Sequence, residues 1–128
     1  MKFGYTILYV TDVEKSVAFY EAAFGLNRKF IHEAGYAEMN TGQTTLAFAN
    51  LKVAEGNGVS LLEPSPAGPA HAFEVALVTD DVATSFARAV HAGAVVVADP
   101  KAKPWGQTVA YVRDINGFLV EICSPVEE

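Results

Sequence analysis

The chain has 128 residues, about the length of one average domain, which excludes a two-domain enzyme. Apolar residues make up 51% of it and charged residues 19%, a composition typical of a folded globular protein and not of a disordered one. The formal net charge is −6, from 9 basic and 15 acidic residues, and the basic residues are scattered. A nucleic-acid partner is therefore not expected, because binding phosphates needs concentrated positive charge.

The first half of the chain predicts a strand, a helix and three more strands. Residues 3–10 are rich in Tyr, Ile, Leu and Val, which favours a strand. Thr11 and Glu14 fit a capping box at the start of a helix that Gly25 ends. The apolar residues of this helix recur at helical spacing: Val13, Val17, Tyr20 and Phe24. Turn-like punctuation then separates three predicted strands at 28–33, 36–40 and 44–49.

The second half repeats this order after a stretch that is rich in glycine and proline. Residues 50–71 lack periodicity and predict a linker between one module at about 1–50 and another at about 72–125, within a single domain over 1–128. A strand at 73–78, a helix from Val82 to Gly93, and strands at 95–98, 108–113 and 117–122 follow. A shift of 69 residues lays Asp12 on Asp81 and Ser16 on Ser85, so the repeat is visible in the residues too.

Alternation along the predicted strands assigns their residues to two faces. The face under the helix takes Thr6, Leu8 and Val10 in the first module, and Phe73, Val75, Leu77, Val120 and Ile122 in the second. Glu74 and Glu121 then share the opposite face of the second module with apolar neighbours such as Ala76, Val78 and Leu119. Because a wet face would be more polar, this pattern indicates a half-enclosed cavity in which the two carboxylates are partly desolvated.

Three segments of the chain together resemble a known superfamily. They are YVTDVEKSVAFYEAAFGL (9–26), VALVTDDVATSFARAVHAGA (75–94) and PWGQTVAYVRDINGFLVEI (104–122), the last of which contains the pattern D-x-x-G-x-x-x-E. In their order of strand, Asp-started helix and final motif they resemble the vicinal oxygen chelate superfamily of glyoxalases, bleomycin resistance proteins and extradiol dioxygenases. The resemblance implies an α+β fold in which paired βαβββ modules form a cup-shaped mixed sheet, and a homodimer whose cups are completed across the partner.

The resemblance also implies where a metal would bind. In that superfamily the ligands lie on the first and last strands of each module, and the corresponding positions here are Tyr5, Ala47, Glu74 and Glu121. Ala47 has no donor atom, and a tyrosine phenol is a rare ligand with a pKa near 10. No cofactor is therefore expected, although Glu74 and Glu121 leave a divalent metal open.

The three histidines do not complete that site by spacing alone. His32 lies in the predicted second strand and His91 late in the second helix, so both are expected to be surface or capping residues. His71, three residues before Glu74, can serve as a base or ligand only if the linker folds inward.

Several side chains carry two interpretations. Glu121 is either a strand carboxylate paired with a neighbouring donor or a metal ligand or general base, and Glu74 either accepts the Tyr5 hydroxyl or takes part in catalysis. Trp105 is a loop anchor packed against the sheet or, less favoured, a wall that stacks on a planar ligand. Arg113 forms a strand-end ion pair with Asp114 or holds an anionic group of the substrate.

These residues leave three hypotheses for function. The favoured one is a metal-free binding protein whose cup takes a small organic molecule, with Glu74 and Glu121 for orientation or catalysis and with Tyr5, Tyr9, Trp105 and Arg113 in contact with it. The alternative is a metal-dependent lyase similar to lactoylglutathione lyase, in which a cation polarises vicinal oxygens while a carboxylate moves a proton. The third is a dimerising domain with a scaffolding surface.

Cysteine usage and hydropathy bear on location. Cys123 is the only cysteine and cannot close an intramolecular disulfide, and the start of the chain lacks the apolar run of a secretory signal. No apolar stretch approaches the length of about 18 residues that spans a membrane. A cytoplasmic protein without a membrane partner is expected.

Overall fold

The computed structural model describes residues 1–126, which contain eight strands and three helices. In chain order these are β1 (Tyr5–Val10), α1 (Val13–Phe24), β2 (Asn27–His32), β3 (Tyr36–Asn40), β4 (Thr45–Asn50), α2 (Leu51–Gly56), β5 (Glu74–Val78), α3 (Val82–His91), β6 (Val95–Ala102), β7 (Thr108–Arg113) and β8 (Leu119–Cys123). They form two four-stranded mixed sheets, which confirms the predicted α+β class and the repeated strand order. None of the three helices has the length and apolar character needed to cross a membrane.

The chain divides into two compact units, each built around one sheet. The first comprises residues 1–21 and 25–64, and the second comprises residues 22–24 and the chain from Ser65 onward. The strand orders are β1-β4-β3-β2 in the first unit and β5-β8-β7-β6 in the second. In both, the first strand of the module runs parallel to the last and the remaining pairs are antiparallel.

The core of the first unit forms where α1 meets its sheet. The predicted apolar stripe is confirmed for Val13, Val17 and Tyr20, which are fully buried, whereas Phe24 at its end is half-buried. The ring of Tyr20 meets that of Phe48 on β4 edge-on at a centroid distance of 4.8 Å. Such aromatic packing adds to the free energy gained from the buried area and fixes the helix over the central strand.

Both long helices start at an aspartate. The side chain of Asp12 accepts a hydrogen bond from the backbone N–H of Lys15, and Asp81 accepts one from Thr84 in the same way. The prediction of Thr11 as the capping residue was therefore wrong by one position. A carboxylate at the N-cap satisfies an otherwise unpaired donor and lies favourably at the positive end of the helix dipole.

In the second unit the residues beneath the helix follow the predicted alternation on β8 more closely than on β5. Val120 and Ile122 are buried, as predicted, whereas Val75 and Leu77 are only half-buried and Phe73 is 41% exposed. The contacts of α3 explain the difference, since the helix lies against β6, β7 and β8. β5 is the outer strand of this sheet and receives less cover.

Two segments differ most from the boundaries expected of them. The predicted linker begins with the short helix α2, whose start is capped by the side chain of Asn50 accepting from the Lys52 N–H. β6 extends to Ala102, beyond its predicted end at Ala98, and passes through Pro100. A proline is tolerated there because β6 is an edge strand with irregular register, so no partner strand needs the missing N–H.

The turn between β2 and β3 is strained. Its central residues, Glu33 and Ala34, have φ angles of 50° and 56°, and Gly35 donates its N–H to the carbonyl of His32 over 3.0 Å. Two positive φ angles make this a hairpin turn of the type that asparagine and glycine favour. A residue with a Cβ atom costs about 1 kcal/mol or more in this conformation, whereas glycine avoids the cost.

The double substitution Glu33→Asn with Ala34→Gly is therefore expected to raise the free energy of unfolding by about 1 kcal/mol or more. Urea denaturation followed by circular dichroism measures it. The single substitution Ala34→Gly should recover part of the gain, and an unchanged midpoint in both variants would contradict the strain.

Candidate functional site

Two carboxylates and a tyrosine meet on one face of the second sheet. Glu121 on β8 pairs with Ala76 on β5 and with Tyr111 on β7, so the three residues form one row across the strands. Glu74 begins β5 in the next row, opposite Leu119. Because diagonal neighbours on one face lie within reach of long side chains, Glu74 and Glu121 can touch. We call this surface, which carries Glu74, Tyr111 and Glu121, the carboxylate face.

Hydrogen bonds fix the carboxylate of Glu121. The hydroxyl of Tyr111 donates to its Oε1 atom over 2.8 Å. Partial burial raises the pKa of Glu121, but hydrogen bonds with Tyr111, Cys123 and Glu74 outweigh burial and, with the positive charge of Lys103, hold the pKa below its ordinary value. Glu121 is therefore the member of the pair that stays ionised as the pH falls.

Glu74 behaves in the opposite way. Burial, its hydrogen bond with Glu121 and repulsion by the neighbouring charge all raise its pKa above the ordinary value. On acidification the pair takes up its first proton on Glu74, which then donates to Glu121. The pair thus offers a fixed acceptor beside a group that holds and releases a proton, which is the arrangement that general acid–base chemistry uses.

The neighbouring Tyr111 and Cys123 are neutral donors with different acceptors, because Tyr111 donates to Glu121 whereas the thiol of Cys123 donates to the carbonyl of Leu77 over 3.8 Å. The hydrogen bond to Glu121 and burial raise the pKa of Tyr111 to about 12. Burial and the same carboxylate raise the pKa of Cys123 to about 11. Since the thiolate is the nucleophilic form of cysteine, this buried thiol is not suited to attack a substrate.

Arg113 lies on the same sheet, yet its guanidinium is bound to backbone. Nε donates to the carbonyl of Gly117 over 2.8 Å, Nη1 to that of Gly68 over 2.6 Å and Nη2 to that of Ser65 over 3.0 Å. Asp114, its predicted ion-pair partner, instead accepts from the N–H groups of Asn116 and Phe118. Arg113 thus joins two loop segments, and its predicted contact with substrate stays a prediction.

Trp105 lies at the turn between β6 and β7. Its indole N–H donates to Oε1 of Gln107 over 2.8 Å, and the side-chain amide of Gln107 donates to the carbonyl of Ser124. The favoured interpretation as a packed loop anchor was wrong, because Trp105 is 62% exposed. Its ring is held at its polar edge while its faces stay accessible, which is compatible with the stacking role.

The first sheet carries a carboxylate that sequence reasoning missed. Glu38 on β3 pairs with Ala47 on β4, and its Oε2 accepts the hydroxyl of Tyr36 over 2.9 Å. Burial and Glu38 raise the pKa of Tyr36 to about 12, and the charges of Tyr5 and Tyr9 contribute. The signal was available in the alternation of β3, whose buried Ala37 and Met39 leave Tyr36 and Glu38 on the other face.

The remaining predicted positions of the first unit are unlike one another. Tyr5 is 58% exposed and Tyr9 is half-buried, both on the same side of β1, whereas Ala47 is fully buried on β4. The predicted contacts of the two tyrosines with a ligand stay predictions.

None of the three histidines, all of which lie in the described part of the chain, is a predicted ligand or base that the structure brings into contact with Glu74 or Glu121. His32 is exposed and lies 4.0 Å from a carboxylate oxygen of Glu33, and His91 is exposed at the end of α3. His71 packs edge-on against the ring of Phe118 at a centroid distance of 5.8 Å.

The residues at the implied metal positions do not fit a divalent metal site. Ala47 offers no donor atom, and Glu121 already accepts from the hydroxyl of Tyr111. Within residues 1–126, no three His, Cys, Asp or Glu side chains are grouped so that they could hold a metal ion. Two carboxyl groups alone fall short of the three protein ligands of a catalytic zinc site.

Glu74→Gln is expected to raise the free energy of unfolding at pH 7. The amide supplies a donor to Glu121 and removes a charge that burial and repulsion by Glu121 disfavour. The gain should stay below about 1 kcal/mol, because Glu74 is exposed and solvent screens the charges. The pKa of Glu74 in the folded state lies above 4.5, so the wild type recovers this stability as the pH falls and Glu74 takes up a proton. The difference in stability between the variant and the wild type should therefore vanish below pH 4.5.

Urea denaturation between pH 4 and pH 8 measures that difference. The same replacement at Glu63, exposed in the segment before Ser65, is the control and should change stability little at any pH. A loss of stability in the Glu74→Gln variant at pH 7 would contradict the repulsion between the two carboxylates.

Comparisons with known proteins agree with this architecture. A family model described as the Glyoxalase/Bleomycin resistance protein/Dioxygenase superfamily matches residues 2–122. None of the curated proteins compared with the chain matches it significantly.

Solved structures share the fold over nearly the whole chain. A glyoxalase-related enzyme from Fulvimarina pelagi is 23% identical with a TM-score of 0.83, and the match covers 98% of this chain and 88% of that one. A glyoxalase/bleomycin resistance protein/dioxygenase family enzyme from Burkholderia phytofirmans PsJN is 19% identical with a TM-score of 0.84, covering 99% and 100%. TioX from Micromonospora sp. ML1 is 25% identical with a TM-score of 0.73, covering 97% and 98%.

Proposed function

The chain belongs to the Glyoxalase/Bleomycin resistance protein/Dioxygenase superfamily, and from this premise we propose that it binds a small organic molecule at the carboxylate face without a protein-bound metal ion. The observation that carries the proposal is the fixed carboxylate of Glu121, which accepts from the hydroxyl of Tyr111 and lies beside Glu74. A partly buried acceptor held by internal donors is preorganised for a ligand and gains binding energy without reordering.

The carboxyl pair favours a ligand that carries a hydrogen-bond donor or a positive charge. Glu121 stays ionised. Glu74 is exposed on the edge strand of the sheet, so its carboxyl group is accessible to a ligand. A hydroxyl, amine or amidine group would donate to Glu121 in the place that the protonated Glu74 takes at lower pH. The net charge of −6 also favours the approach of cations over that of anions.

Apolar side chains on the same face supply the rest of the contact area. Ala76 and Val78 on β5 lie beside the carboxylates, and Val78 is 65% exposed. An organic ligand that covers Val78 gains hydrophobic free energy, while its polar group satisfies Glu121. Trp105, with accessible ring faces, is the aromatic contact that we propose for this unit.

A thermal-shift screen tests the proposal. The compounds are hydroxy-acids, thiol adducts of glutathione and planar cationic drugs, each with and without Zn²⁺ or Ni²⁺. We expect a rise in melting temperature with at least one cationic or hydroxyl-bearing class in metal-free buffer. Stabilisation that occurs only when metal is added would contradict the metal-free part, and the absence of any shift would contradict binding.

A further inference from the structure

The guanidinium of Arg113 joins two segments that are far apart in sequence. In addition to Gly117, Gly68 and Ser65, its Nη1 atom lies 3.4 Å from the carbonyl oxygen of Pro66. All these segments belong to the second unit. The turn between β7 and β8 is thereby tied to residues 65–68, which precede β5.

An arginine is the side chain that suits this place. Its planar fork directs donors from three nitrogens at once, whereas lysine presents a single point charge that cannot reach carbonyls on two segments. Gly117 permits the approach, since a Cβ atom built there would lie 2.5 Å from the carbonyl oxygen of Ser65. Residues 113 and 117 therefore act as one clamp on the loop.

The clamped loop leads directly into Glu74. Residues 69–73 connect Gly68 to β5, and the rings of His71 and Phe73 both pack edge-on against Phe118. Arg113 also lies opposite Leu119, which pairs with Glu74 on its other side. The start of β5 is thus held from the loop side by the clamp and from the sheet side by β8.

We propose that Arg113 is a positioning residue of the carboxylate face, which fixes the loop ahead of β5 and thereby sets where Glu74 meets Glu121. Its importance for ligand binding rests on the proposed function, whereas its effect on the carboxyl pair does not. Arg113 does not itself need to contact a ligand, because its donors are engaged with backbone carbonyls.

Arg113→Met tests this inference by removing the clamp while keeping an apolar stem of similar length. Hydrogen exchange of the amides in 65–73 should become faster by about tenfold or more, relative to the amides of β7 and β8. The carboxyl carbons of Glu74 and Glu121, followed by 13C NMR at pH 7, should change their chemical shifts. Glu38 also accepts a hydrogen bond from a tyrosine, and the chemical shift of its carboxyl carbon should stay unchanged.

Two further variants complete the test. Arg28→Met removes an arginine that bonds to Glu14 and Glu21 in the first unit, and it should leave the signals of Glu74 and Glu121 unchanged. If Arg113→Met does not fold, Arg113→Lys replaces it and should move the same two signals in the same direction. Faster exchange with unmoved carboxyl signals would show a clamp that stabilises without positioning, and would overturn the inference.

The outcome is separable from that of the proposed function. If the carboxyl signals move in Arg113→Met but the wild type binds none of the screened compounds, the positioning role is supported and ligand binding is contradicted. If the carboxyl signals do not move in Arg113→Met but the wild type binds a compound, the positioning role is contradicted and ligand binding is supported.

Discussion

Replacing Gly117 with alanine is expected to lower the free energy of unfolding by about 3 kcal/mol or more. The added Cβ would lie 2.5 Å from the carbonyl oxygen of Ser65 and 2.7 Å from Nη2 of Arg113. The first neighbour is backbone and cannot rotate away, so either the loop or the turn must move. The φ angle of +91° adds strain that glycine alone avoids.

Gly106→Ala is the matched control for this clash. Gly106 has nearly the same φ angle, +92°, but a Cβ atom there would meet nothing within 4 Å. Its substitution should therefore cost only the conformational strain, about 1–2 kcal/mol. Urea denaturation of both variants gives the difference, and equal losses would mean that the clamp at Gly117 is not tightly packed.

The strand faces and the carboxyl pair could be predicted because they depend on local periodicity. Alternation along residues 73–78 and 117–122 was enough to place Glu74 and Glu121 on one face, away from the buried Val120 and Ile122. The same alternation in β3 would have placed Glu38 opposite Ala37 and Met39. It was missed because the resemblance assigned no function to that strand.

Other parts of the site could not be predicted, because they depend on which residues meet across strands and loops. Tyr111 reaches Glu121 only through the register of β7 on β8, and a shift of one residue would have turned it to the other face. Two of the carbonyls that Arg113 binds, those of Gly68 and Ser65, lie 45 and 48 residues away in sequence. No periodic pattern records such a contact, so an ion pair with the adjacent Asp114 was the natural but incorrect choice.

Glu121→Gln is expected to weaken binding of a cationic compound from the screen by about tenfold or more. The substitution removes the negative charge of Glu121, which is the main electrostatic contact of such a compound. The amide oxygen can still accept from Tyr111, so the fold should persist. Isothermal titration calorimetry in metal-free buffer measures the affinity. Glu38→Gln removes a carboxylate that is also bonded to a tyrosine, but on the first sheet, and it should leave the affinity within about twofold.

The same Glu121→Gln protein also distinguishes the two chemistries that the superfamily offers. In a metal-dependent lyase, Glu121 would be a ligand, and its amide variant would lose a metal that the wild type holds tightly. Because Glu121 accepts from Tyr111 and Ala47 offers no ligand atom, we expect purified wild-type protein and Glu121→Gln to show the same low metal content by elemental analysis. A stoichiometric metal in the wild type that disappears in Glu121→Gln would contradict the metal-free site and restore the lyase hypothesis.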